Sequence, residues 1–91
     1  SSTITANGAA STAATLIIGN KGSQLDVSLA DGTTVGEYKI FTNKGAGELH
    51  VTPTNFSAGT KFALAQNEGA TCIWDGSNWF LVGNQSTSTV T

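Results

Sequence analysis

Apolar residues in this chain recur at every second position, in short runs closed by glycine, asparagine or aspartate. The run QLDVSLA (24–30) shows it most plainly: Leu25, Val27 and Leu29 fall on one side, and Gln24, Asp26, Ser28 and Ala30 on the other. A strand points successive side chains to opposite faces, so a period of two marks a strand with one buried face. The β-branched run TLIIG (15–19) reads as a buried strand ending at Gly19. YKIFTN puts Tyr38, Ile40 and Thr42 on one face and Lys39, Phe41 and Asn43 on the other. ELHVTP separates Leu49 and Val51 from His50 and Thr52, and Pro53, with no N–H to donate, closes it. KFALAQ buries Phe62 and Leu64, and Phe56 is expected to pack inward from the connection before it. No segment carries the i, i+3, i+4, i+7 stripe of a helix.

About seven short strands result, with turn signals at intervals of roughly 8 to 12 residues, which predicts an all-β fold. The expected architecture is a small antiparallel β-sandwich or barrel, with NKGAGE as a hairpin loop joining YKIFTN to ELHVTP. No repeat of fixed period is evident. Residues 1–12 are expected as an N-terminal arm, 13–84 as the β domain and 85–91 as a C-terminal tail.

Composition excludes several function classes. Charged residues make up 11% of the chain, against about 25% for an average soluble domain, and the net charge is -2. Four scattered lysines and no arginine cannot neutralise a phosphate backbone, so no nucleic-acid partner is expected. No apolar run approaches the roughly 20 residues of a membrane helix, and no membrane partner is expected. The start, SSTITANGAAS, lacks the basic and apolar regions of a signal peptide, although a mature secreted form stays open. A single cysteine rules out an internal disulfide. A small core without disulfide or metal needs support elsewhere, and self-association is the natural source.

The stretch ATCIWDGSNWFLVGN (70–84) holds both tryptophans and the one cysteine. Gly76-Ser77 between two apolar runs predicts a two-residue hairpin turn. Trp74 then faces Trp79, Ile73 faces Phe80 and Cys72 faces Leu81. Cys72, Trp74, Trp79 and Leu81 share one face, and Ile73, Asp75, Asn78, Phe80 and Val82 share the other. Both faces are apolar, whereas an outer sheet normally keeps one polar face. One meets the core, and the other needs a different cover: a sister subunit, a host assembly or a flat ligand such as a sugar ring. Candidate interface residues are Trp74, Trp79, Phe80 and Leu81, with Ile4 and Val90 in the terminal segments.

Catalytic constellations are missing. His50 is the only histidine, and a metal site wants three or four ligands, so it is read as an ordinary strand residue. No G-x-S-x-G elbow accompanies the serines. Asp26, Asp31, Glu37, Glu48, Glu68 and Asp75 mostly sit beside predicted turns or strand ends, where acids are common. Cys72 lies in an apolar run and is read as a small core residue. The stretch Gly19-Asn20-Lys21-Gly22 lacks the spacing and following helix of a phosphate loop. No enzyme activity, cofactor or metal is expected.

The segment VTPTNFSAGT followed by FALAQNEGATCIWDGSNWFLVG resembles small β modules of tailed-bacteriophage virion proteins, over roughly residues 35 to 84. The resemblance implies a structural role in the virion and assigns no catalytic residue. It implies a capsid decoration (cement) protein, homotrimeric, bound to the major capsid protein on the capsid surface and stabilising it. A tail-fibre or spike module binding a host receptor or carbohydrate is the alternative.

Overall fold

The computed structural model describes residues 1–82 and 89–90, the last two as backbone. Ten strands run through them: β1 (Ser2–Ile4), β2 (Gly8–Ala9), β3 (Leu16–Gly19), β4 (Leu25–Leu29), β5 (Tyr38–Asn43), β6 (Leu49–Pro53), β7 (Phe62–Leu64), β8 (Gly69–Trp74), β9 (Trp79–Val82) and β10 (Thr89–Val90). They form two five-stranded sheets, ordered β1-β3-β5-β8-β9 and β10-β7-β6-β4-β2.

The chain alternates between the sheets from β1 to β6. Each crossing places the next strand parallel to the one laid down two strands earlier. β1, β3 and β5 are parallel neighbours in the first sheet, and β2, β4 and β6 in the second. Parallel strands need a long crossover, and here the crossover is the other sheet's strand. Leu16 lies beside Ile40 and Leu25 beside Leu49, 24 residues further on in each case. After β6 the chain reverses. β7 runs antiparallel to β6, β8 to β5, and β9 to β8.

This overturns the expected antiparallel sandwich or barrel of about seven strands: both sheets are mixed. NKGAGE is no hairpin loop either. Its residues arch from one sheet to the other, and the neighbours of β6 are β4 and β7. The 24-residue offset is a repeat in register that residue identities do not display. The physical reason is common to all three. Alternation reports which side chains are buried, but not which strand lies alongside or in which direction.

Residues 1–12, expected as an arm, supply β1 and β2, the outermost parallel strands. The expected tail, 85–91, lies outside the described residues except for Thr89 and Val90, which pair with Ala63 and Phe62.

One core fills the space between the sheets. Ile17, Phe41, Cys72, Trp74 and Trp79 come from the first sheet, and Leu25, Val27, Leu49, Val51, Phe62 and Leu64 from the second. Phe41 meets Phe62 edge-on across the layers, with ring centroids 5.7 Å apart at 78°. Ala10 and Leu29 are also buried, and Ile4, Ala14, Phe56 and Leu81 pack partly against this core.

The inter-sheet arches stack on one another. Lys44 N donates to Gly19 O (2.7 Å), Gly47 N to Lys21 O (2.9 Å) and Leu25 N to Glu48 O (2.9 Å). Asn43, buried beneath the second arch, donates from Nδ2 to Gly47 O (2.8 Å) and Leu64 O (2.9 Å). Its Oδ1 accepts from Gly45 N at 3.1 Å, so all its side-chain groups serve backbone that would otherwise be buried unpaired.

Candidate functional site

The outward face of the first sheet is the unusual surface. In β5 the inward positions are Lys39, Phe41 and Asn43, which leaves Tyr38, Ile40 and Thr42 facing out. Lys39 is accommodated because its ammonium donates to Ala14 O (2.6 Å) and Thr12 O (3.3 Å) in the β2–β3 link. Its four-carbon stem packs inside while its charge is met by backbone carbonyls. The one charge that β5 carries is thereby kept off the outer face.

Strand register assembles the face into rows. Leu16, Ile40, Thr71 and Val82 form the middle one. Tyr38, Ile73 and Phe80 form a bulky row on one side of it. Thr3, Ile18, Thr42 and Gly69 form a smaller row on the other. None of these side chains is charged. Tyr38 is 51% exposed, Val82 46%, Phe80 41% and Ile40 38%, and Leu16, Ile18 and Ile73 are half-buried.

The second sheet has an ordinary exterior. Asp26 and Ser28 of β4 lie beside His50 and Thr52 of β6. His50 Nε2 is 2.7 Å from Glu48 Oε1, and a shallow depression beside β2 is lined by Gly8, Ala9, Asp26, Ser28 and Thr52. Among the described residues no three His, Cys, Asp or Glu side chains converge as metal ligands.

The hairpin β8–β9 has the register expected from Gly76-Ser77. Trp74 pairs with Trp79, Ile73 with Phe80 and Cys72 with Leu81. Gly76 adopts φ +105°, and Asp75 Oδ1 accepts from Ser77 N (2.8 Å) and Asn78 N (2.7 Å). These backbone donors, Asn78 first, hold the Asp75 carboxyl below its ordinary range.

The interface candidates separate accordingly. Trp74 and Trp79 lie in the core, with ring centroids 5.4 Å apart at 55°, and Trp79 Nε1 donates to Ala30 O at 3.0 Å. Buried this way, the pair offers no platform to a sugar ring. Leu81 and Ile4 pack partly against the core. Of the five whose side chains are described, Phe80 alone stands on the outer face, and the side chain of Val90 lies outside the described residues. Cys72 is buried, and desolvation pushes its thiol up to about 12, so it is protonated and inert at neutral pH.

Alternation in the hairpin already placed Ile73, Phe80 and Val82 on one apolar face, but Leu16, Ile18, Tyr38 and Ile40 were not joined to it. A signal was present in YKIFTN. Asn43 and Lys39 share the parity of Phe41, so the largest buried aromatic of that strand forces Tyr38 and Ile40 outward. No protein-family model and no curated protein matches the chain.

Proposed function

We propose that this chain is a non-catalytic assembly subunit, and specifically a decoration protein of a tailed-phage capsid that adds buried contact to the assembled shell. One observation carries the structural part of the reading: a sheet face whose three central rows are mostly apolar and carry no charged side chain. Such a face is a liability on a solitary monomer and an asset on a subunit, because contiguous exposed apolar area marks an interaction surface. The capsid assignment comes from the likeness of the segment ending in WDGSNWFLVG to virion modules. A protein that binds only the assembled shell stabilises it by mass action, without chemistry.

The test uses capsids stripped of their decoration. The purified chain is expected to co-sediment with them and to raise the temperature at which they rupture. Rupture at an unchanged temperature despite saturation would remove the stabilising role, and no co-sedimentation at all would remove the capsid.

A further inference from the structure

We infer that the outer face of the first sheet is closed by a second copy of the same face, in a two-fold pair. The inference rests on reading the chain as an assembly subunit and names what covers its apolar surface. Charge decides first. An uncharged face buries no unpaired ion only if its partner surface is also uncharged, and burying a lone charge is strongly unfavourable. The chain supplies such a partner itself, since none of the residues in the three rows is Asp, Glu, Lys, Arg or His.

Shape follows. A two-fold axis lying between the faces and running across the strands exchanges the two flanking rows. The bulky row of Tyr38, Ile73 and Phe80 then sits over the small row, where Thr42 and Gly69 leave room. Ile40 and Thr71, side by side in the middle row, fall near the axis and meet their own mates. The two Thr71 hydroxyls are too far apart at the spacing of stacked sheets to bond directly, and one water between them satisfies both, so the centre leaves no polar group stranded. Two sheets stacked in this manner sit about 10 Å apart, as in any sandwich.

Area sets the affinity. Four strands about 4.8 Å apart and three rows about 7 Å apart give a footprint of roughly 400 Å², and protruding side chains raise the accessible area to roughly 500 Å². Two copies would bury roughly 1,000 Å², at the lower limit for a specific interface. A reversible dimer with micromolar dissociation is expected rather than a permanent one.

Sedimentation equilibrium of the whole chain across a concentration series tests this. The expected mass rises from 9.3 kDa towards twice that value in the micromolar range. Ile40→Lys should weaken the dimer about 100-fold by placing two ammonium groups together at the axis. Val82→Lys, at the more exposed edge, keeps the test valid if Ile40→Lys fails to fold, and should weaken it at least several-fold. Thr71→Cys should be joined to its mate by a short thiol-to-thiol bismaleimide linker, since sheets about 10 Å apart are too distant for a direct disulfide, whereas Ser28→Cys, on the opposite sheet, should not be joined. A wild-type chain that stays at 9.3 kDa to millimolar concentration overturns the pairing. So does a dimer that survives both lysine variants. If the monomeric chain still binds capsids and Ile40→Lys abolishes that binding, the face belongs to the capsid surface and the second copy is refuted. Failure of the wild type to bind capsids bears on the decoration role alone.

Discussion

Two residues show how side-chain chemistry holds the backbone in this fold. Asn43 is buried and satisfies Gly47 O, Leu64 O and Gly45 N together. Asn43→Ala would strand all three, and a buried group left unpaired costs about 1–3 kcal/mol. A loss of about 3 kcal/mol in urea unfolding is expected; a loss below 1 kcal/mol would mean that water replaces the amide without penalty. Glu37 acts at the other end of the molecule. Its Oε1 accepts from Thr33 N at 2.8 Å, which with Thr34 N and the charge of Lys39 holds its carboxyl below the ordinary 4.5. A depressed folded-state value means stability that is complete above about 4.5 and is lost as pH falls through the lower folded value. Thermal melts from pH 7 to pH 3 should therefore decline only below the ordinary carboxylate range. Glu37→Gln should shallow that decline, by a small amount because the group is largely solvated. The parity of Asn43 was legible in YKIFTN, but its partners were not: Leu64 is 21 positions from Asn43.

At the scale of elements, the decisive parts are the stacked arches rather than the strands. Residues 20–24 and 44–48 cross between the sheets one above the other, bonded backbone to backbone. A Cβ on Gly47 would overlap the Ser23 carbonyl, so the close approach of the two arches requires glycine. Gly22, in the lower arch, has open space around it. Gly47→Ala is expected to destabilise by more than 2 kcal/mol, whereas Gly22→Ala should be neutral or mildly stabilising. Equal effects in chemical denaturation would show that the arches are not in contact. From sequence, both segments look alike as glycine-rich turns, and NKG even recurs in each. Only the stacking makes one glycine obligatory and the other dispensable. The terminal hairpin is the opposite case. Its turn, register and two faces follow from Gly76-Ser77 and local alternation, because a hairpin's partners are neighbours in sequence.

For the whole molecule, the first two strands matter beyond their length. β1 and β2 cover the edges of β3 and β4, and Asn20 N also donates to Ile4 O at 2.9 Å. Removing residues 1–9 would expose two parallel edges flanked by an apolar face, a template for pairing with other chains. Concentration-dependent aggregation is expected by light scattering, and a shortened chain that stays monodisperse would show that the edges are protected by other means. A thin two-layer core with an apolar exterior on one layer is a structure that gains from a further layer.

By itself the sequence determined part of what lies inside. Leu25, Val27, Leu49, Val51, Phe62 and Leu64 are buried as alternation required, the Trp74–Trp79 hairpin has the register its turn required, and no helix is found among the described residues. These are local consequences of a two-residue period and of turn chemistry. Tertiary structure alone decided the parallel pairing of β3 with β5 and of β4 with β6, the inward placement of Lys39, and the joining of Leu16, Ile40, Ile73 and Phe80 into one uncharged face. Those depend on contacts between residues 20 or more positions apart, and alternation is the same whichever way a neighbouring strand runs.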